Sequence, residues 1–452
     1  MPNWDFSKES VATSYGCLLT YTMKNTKSFQ KIVFIGLILL ILFALVAPAI
    51  FSQNLTAPRQ ERLLNGLKVL MWPDAKAESA AIRIRIHSGA AFDPQGKEGV
   101  MQLLADNIFP NEAARDFFRE DLDGSLEVTS NYDYIEISAT AKPGSFLTML
   151  ETVATAVSNP AIDKDQTSKL RTALLAKVAA WEADPNYMAD QAVARRLFGT
   201  FPYGRPEDGS SDSLTRIGFA ELIDAKERFL TADNATLTIS GNFDRSLGFQ
   251  AARRYFGSWL KSDKKTPSTF RQPDEPSAVI LNVVSPKPDG AAIRIGMRGT
   301  AAGDKDFAAS MVFTRILESR LKSRVPSVYA EQLFVRNEAH TLPGIITIGF
   351  AAGKNDVGDT NGKIEANELV GKAISDPVTE AEFQVAKSAF QAKWNKRDAA
   401  SFWLDADTFK LSNPQSYARC ADNVTLTDVN SFAEKVRKQP TVTILLTARP
   451  TK

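Results

Sequence analysis

The strand pattern "AAIRIRIHSGAA" at Ala80–Ala91 returns as "AAIRIGMRGTAA" at Ala291–Ala302. Both copies alternate apolar and polar residues at period two, the signature of a strand with one face buried. A second pair, "NATLTISGN" from Asn234 and "QPTVTILLTA" from Gln439, repeats near the ends of the two halves. Matched elements at a separation of roughly one domain read as two copies of a single folding unit. The repeat therefore predicts domains over 58–260 and 277–450. Lys261–Pro276, "KSDKKTPSTFRQPDEP", is polar and proline-bearing and reads as a surface linker between them.

Inside the first copy, "LLNGLKVLMWPD" and "GSLEVTSNYDYIEISATA" read as strands. "SFLTMLETVATAVSNP", "KVAAWEAD" and "MADQAVARRLF" carry helical periodicity. Strands and helices mix without a βαβ rhythm. The layer solution is α+β: in each domain an antiparallel sheet covered by helices. A chain of 452 residues with 44% hydrophobic and 23% charged residues has the length for this. A net charge of +2 without a basic stripe gives no reason to expect nucleic acid as a partner.

The segment Ile32–Phe51, "IVFIGLILLILFALVAPAIF", is uncharged and long enough to cross a bilayer. Lys24, Lys27 and Lys31 precede it, so the positive-inside bias predicts a short cytoplasmic tail over 1–31. Residues 32–51 are then either a transmembrane anchor in the inner membrane or a signal segment starting from Met23 and cut near Ala49. Both readings put the domains in the periplasm, attached or released. Cys17 falls on the other side of the membrane or is lost, leaving Cys420 as an inert buried thiol.

The ordered series "GAAFDPQGKEGVMQLLADNIF" (Gly89–Phe109), "SNYDY" (Ser130–Tyr134), "VSNPAI", "EADPNYMADQAVARRLFGTFPYG", "ISGNFD" and "SRL" (Ser319–Leu321) resembles the pitrilysin, or insulinase (M16), family of zinc metallopeptidases. That family includes the mitochondrial processing peptidase subunits and bacterial relatives. The resemblance runs over nearly everything after the apolar segment. It implies a helix bearing HxxEH, whose histidines ligate zinc and whose glutamate activates water. A later glutamate is the third ligand. The positions matching these four are Gln102, Ala105, Asp106 and Lys177. The resemblance thus identifies a member lacking the zinc-binding and catalytic residues, with no metal and no cofactor. A salt bridge from Lys177 to Asp106 is expected in place of the ion.

The two histidines offer no substitute. His87 is expected on the polar face of its strand, pointing to a chamber or to solvent, and His340 lies near a turn without a spaced partner. "DVGDTNGKIEANE" imitates a calcium loop, but Val357 stands at the first ligand position, so it reads as a surface loop followed by a helix. The family's non-metal half contributes an arginine and a tyrosine to substrate, matching Arg324 and Tyr329 here. The functional expectation is a noncatalytic pseudopeptidase subunit. It would bind peptides or unfolded polypeptide and complete the chamber of a homologous subunit with intact HxxEH, or of a second copy of itself. The alternatives are a zinc-dependent endopeptidase with an altered site and an assembly or structural protein.

Overall fold

A computed structural model of the chain describes residues 57–262, 271–288, 290–325, 331–350 and 360–447. The first lobe is built on a six-stranded sheet. Its strands are β1 (Arg59–Arg62), β2 (Lys68–Pro73), β3 (Ala80–Ile86), β4 (Ser125–Ser130), β5 (Ile135–Ala141) and β6 (Ala235–Gly241), in spatial order β1-β2-β6-β3-β5-β4. The second lobe is built on a five-stranded sheet. It comprises β7 (Val279–Val284), β8 (Ala292–Arg298), β9 (Phe334–Glu338), β10 (Ile345–Phe350) and β11 (Val442–Thr447), in order β7-β11-β8-β10-β9. The repeat is visible strand for strand: β2, β6, β3, β5 and β4 correspond to β7, β11, β8, β10 and β9. β1 has no counterpart among the described residues.

The helices that cover these sheets and build the site are α1 (Val100–Ile108), α2 (Phe146–Ser158), α3 (Lys164–Glu182), α4 (Pro185–Phe198) and α5 (Arg245–Phe256) in the first lobe. Those of the second are α6 (Phe307–Arg324), α7 (Thr360–Ser375), α8 (Glu380–Trp394), α9 (Ala399–Thr408) and α10 (Leu426–Lys438). In the first core Ile82, Ile84 and Ile86 of β3 meet Leu103 and Leu104 of α1 and Leu150 and Val153 of α2. In the second, Ile295 and Met297 of β8 meet Phe313 and Leu317 of α6 and Phe432 of α10.

Two expectations are corrected. The sheets are mixed, because β2 runs parallel to β6 and β7 parallel to β11, while the other pairs are antiparallel. Two strands separated by a whole lobe of chain can meet in either sense, and strand periodicity carries no sign of direction. The second correction concerns the membrane. Ile32–Phe51 lies outside the described residues, and among the described residues no helix is long and apolar enough to cross a bilayer. The membrane segment in the expected fold, the inner-membrane contact and the periplasmic placement are withdrawn. The imitation calcium loop and Tyr329 also fall largely or wholly outside the described residues.

The central strands β3, β6, β8, β10 and β11 are largely buried on both faces. Each lobe sends one helix onto the other lobe's sheet. α9 lies on the first sheet through polar contacts. Lys68 pairs with Asp407 at 2.6 Å, Arg83 with Asp398 at 3.0 Å and Arg85 with Asp405 at 2.6 Å. α4 lies on the second sheet through apolar ones, with Ala189, Val193 and Leu197 against Val442, Ile444 and Leu446. Arg294, the repeat partner of Arg83, pairs with Asp190 of α4 at 2.6 Å. Arg298, the repeat partner of His87, donates to the Leu197 carbonyl at 2.7 Å. The two lobes thus pack as one unit.

His87 is therefore turned into the seam, correcting its expected place. Its Nδ1 lies 3.0 Å from Thr408 Oγ1 and its Nε2 3.0 Å from Thr236 Oγ1. Burial lowers its pKa to about 4, and the nearby Arg85, Lys68 and Lys410 act in the same direction against Asp407.

Where the first copy of the repeat has Arg85, the second has Gly296, and side chains of α4 fill the space. A Cβ on Gly296 would stand 2.1 Å from Val193 Cγ1. Gly296→Ala is expected to destabilise the chain by about 1–3 kcal/mol through overpacking, read as a lowered urea midpoint at unchanged slope.

Candidate functional site

The "GKEG" turn is a backbone device. Gly96 and Gly99 hold φ of 80° and 101°, a region that strains other residues. Gly99 also meets the Asp208 carbonyl and Leu214 so closely that a Cβ would stand 2.9 Å and 2.7 Å from them. The turn delivers the first amides of α1 to Asp93, whose carboxyl accepts from Gly99 N at 2.7 Å and Met101 N at 2.8 Å. Burial pushes the Asp93 carboxyl up to about 7, while these two donors and Arg205 pull the other way. Arg205 ties the turn down, donating to the Asp93 carbonyl at 3.0 Å and pairing with Glu98 at 3.3 Å.

On α1 the three positions diverge. Ala105 is buried in the first core. Gln102 and Asp106, one helical turn apart, are half-buried, and Gln102 Nε2 donates to Asp106 Oδ1 at 2.9 Å. Burial raises the Asp106 pKa. The Gln102 hydrogen bond and the Lys177 charge oppose this, and Asp208 reinforces it. The expected Lys177–Asp106 salt bridge is not formed: among the described residues no ion pair joins them. Lys177 is exposed on α3, and its Nζ lies over the Trp181 ring at 4.5 Å. The amide of Gln102 already satisfies the carboxyl, and the aromatic face one turn along α3 takes the ammonium. Lys177 acts on Asp106 and Asp208 through space only.

Beside this spot, between the lobes, is a cavity of about 260 Å³ whose lining includes Tyr187, Glu207, Asp208, Arg336 and His340. Burial raises the Glu207 carboxyl to about 7, aided by Asp208 and opposed by His340. His340 Nδ1 meets Asp133 Oδ2 at 2.9 Å, and the Thr341 amide reaches Asp133 Oδ1 at 2.9 Å. Burial alone would lower the His340 imidazole, but the bond and charge of Asp133 hold it above its ordinary value. The turn after β4 and the turn after β9, equivalent in the repeat, thus touch through an acid–imidazole pair.

Sequence reasoning missed Asp208, Glu207 and the Asp133 partner of His340. Glu207 and Asp208 lie three and four residues past the "FPYG" landmark, which was the available signal. The Asp133–His340 pairing spans 207 positions and had none.

Arg324 is exposed at the end of α6, pairing with Asp376 at 2.5 Å. The neighbouring Arg320 of "SRL" is the buried one. It binds both carboxyl oxygens of Glu382 at 2.6 and 2.8 Å and the carbonyls of Ala373, Asp376 and Pro377.

Residues 68–207 match the family described as insulinase (peptidase family M16), and residues 216–390 match the peptidase M16 inactive domain. The chain is an M16-family homologue. It is 24% identical over 351 residues to an uncharacterized zinc protease of Mycobacterium tuberculosis, covering 74% of this chain and 79% of that protein. A crystal structure of a peptidase M16 inactive domain from Pseudomonas fluorescens superposes with a TM-score of 0.76 at 19% identity, over 88% of this chain and all of the other. A protease from Helicobacter pylori does so with a TM-score of 0.76 at 16% identity, over 87% of this chain and all of the other.

The M16 metal does not fit the residues present. A zinc site draws on carboxylate, imidazole or thiolate donors. At the three positions matched to ligands from the sequence stand an amide, a carboxyl bonded to that amide, and an ammonium, and at the one matched to the base a buried methyl group. Among the described residues no group of three or more His, Cys, Asp or Glu side chains is placed to hold a metal ion. The M16 body is present without the donor set of its zinc chemistry.

Proposed function

We propose that this chain is a noncatalytic M16 subunit that binds extended peptide or unfolded polypeptide and completes the chamber of a partner. The carrying observation is the Gln102–Asp106 hydrogen bond on a helix whose Ala105 is sealed in the core. The helix is kept in place by its glycine turn and Asp93, with a hydrogen-bonded polar pair at two of the matched ligand positions and a methyl group at that of the base. The domains would span 58–260 and 277–450, joined by 261–276. The partner would be a homologous subunit with intact HxxEH or a second copy. β4, the outer strand beside α1, offers an edge to which a peptide backbone can add. Arg324 would reach substrate by exchanging Asp376 for a peptide carbonyl, a charge-assisted hydrogen bond that orients without supplying a base. Tyr329 would serve beside it.

The test is metal analysis and peptide cleavage on the purified chain, alone and mixed with an HxxEH homologue from the same cells. The expected result is no near-equimolar zinc and no cleavage alone. Cleavage should appear with the homologue, and Arg324→Ala should reduce it without loss of the complex. Chelator-sensitive cleavage by this chain alone overturns the proposal and favours an altered zinc endopeptidase.

A further inference from the structure

The turn between β9 and β10 enters the first lobe as a plug. His340 lies against the rings of Tyr132 and Tyr203, with centroids 5.2 Å and 4.7 Å away. Three hydrogen bonds fix the turn there. His340 Nδ1 meets Asp133 Oδ2 and the Thr341 amide donates to Asp133 Oδ1, both at 2.9 Å. The Leu342 amide donates to the Tyr203 hydroxyl at 3.2 Å. Asp133 is 8% exposed, and both its carboxyl oxygens are turned to the other lobe. A carboxylate at that depth needs a cation beside it. Among the described residues its ion-pair partner is His340.

The rest of the cavity supplies no substitute. Arg336 of β9 is held by Asp190 of α4 at 3.1 Å and by Glu338 at 2.6 Å, and Asp190 also holds Arg294. Glu207 and Asp208 line the cavity, and their side chains form no hydrogen bond or ion pair among the described residues. Burial raises the phenols of Tyr132, Tyr187 and Tyr203, which therefore keep their protons near neutrality.

The proton balance of this contact thus rests on His340 and Glu207. Burial works to lower His340, but the bond and charge of Asp133, with Glu338 and Glu207, hold it above its ordinary 6.5. Burial raises Glu207 from 4.5 to about 7, with Asp208, Glu338 and Asp133 acting the same way against His340. Both shifts have one sign. A group raised in the folded state stabilises it while protonated, and that support is lost as pH rises through the folded value. Glu207 loses it between about 4.5 and 7, and His340 above 6.5. Beyond both, Asp133, Glu207 and Asp208 of the first lobe stand as carboxylates around a neutral imidazole, with Glu338 of the second lobe among them. His87, at the α9 part of the seam, has the opposite sign.

We propose that the His340 plug and Glu207 form a proton-operated latch between the lobes, closed while both carry their protons and loosened on the cavity side when both are released. The latch belongs to the seam and does not depend on the peptide-binding reading.

The chain has two histidines, so selective labelling lets NMR follow each imidazole in the full chain. His340 should titrate above 6.5 in the native chain, and at or below it in Asp133→Asn. Amide hydrogen exchange of the turn over 339–344, corrected for the intrinsic effect of pH, reads the latch itself. It should rise roughly tenfold or more between about pH 6 and about pH 8.5. His340→Asn keeps a donor toward Asp133 and cannot titrate, and its rise should be largely lost. Glu207→Gln should show a smaller rise than the native chain. Exchange in β6 should stay slow in all of them, which separates the latch from loss of the fold. The two native-chain readings stand whatever the variants do. A native turn with one corrected rate at both pH values, a rise that persists unchanged in His340→Asn, or a native His340 titrating at or below 6.5 overturns the proposal.

Discussion

Replacing Arg320 with alanine is expected to cost the fold about 3–5 kcal/mol, the scale of breaking a buried ion pair by removing one partner. Arg320 is 7% exposed, and its guanidinium closes a bidentate bond to Glu382 while holding three carbonyls at the end of α7 and the turn into α8. Without it the carboxylate and the carbonyls lose their donor together. The Arg320 hydrogen bond pulls the Glu382 pKa down to about 2 from an ordinary 4.5. A carboxyl depressed in the folded state adds stability above its unfolded pKa and loses it as pH falls through the folded one. The contribution is thus complete above about 4.5 and drains away toward about 2. Urea titrations across this window should show a steeper acid loss for the native chain than for Arg320→Ala. Equal slopes would remove Arg320 from the account of acid stability.

Arg85→Ala should be comparably severe, about 3–5 kcal/mol, and should act on the seam between lobes. Arg85 is 3% exposed. It bridges Glu136 of its own sheet and Asp405 of α9, both at 2.6 Å, and its guanidinium lies 3.9 Å above the Tyr134 ring. Truncation leaves Glu136 without that partner inside the seam, whereas Asp405 keeps Arg397. The triple variant Arg85→Met/Glu136→Gln/Asp405→Asn removes charge and partner together and should recover most of the loss. A single substitution as mild as a surface change would show that α9 is held by its other contacts. His87, in the same seam, adds an acid sensitivity of its own. Its folded pKa of about 4 lies below the unfolded 6.5, so the unfolded chain takes up the proton first, and stability falls as pH drops from about 6.5 toward 4.

These residues also show what the sequence could and could not disclose. Period-two alternation located β3, β6, β8 and β11, because burial within one lobe writes itself into local spacing, but β1, β7, β9 and β10 went unread. The second burial left no such trace. Arg83, Arg85 and His87 look like a solvated face until α9 arrives from more than 300 positions away with Asp398, Asp405 and Thr408. At the relic site, residue types alone showed that the zinc donors were gone. They could not show that Asp106 would be satisfied within its own helix, leaving Lys177 to Trp181. An ion pair is legible when its partners are a turn apart, and His340 had to wait for the turn that brings Asp133 to it.

The reciprocal crossing of α4 and α9 has a consequence for what counts as a part of this molecule. Each lobe owns a core, yet the inner face of each sheet is finished by the other lobe's helix, as in proteins that trade identical arms between subunits. Either half expressed by itself would present a bare face: a polar one in the first lobe, where Lys68 and Arg83 lose their carboxylates and Arg85 keeps only Glu136, and an apolar one in the second. The two lobes are thus an arm-exchanged pair within one chain, with the exchanged helices supplying the bond.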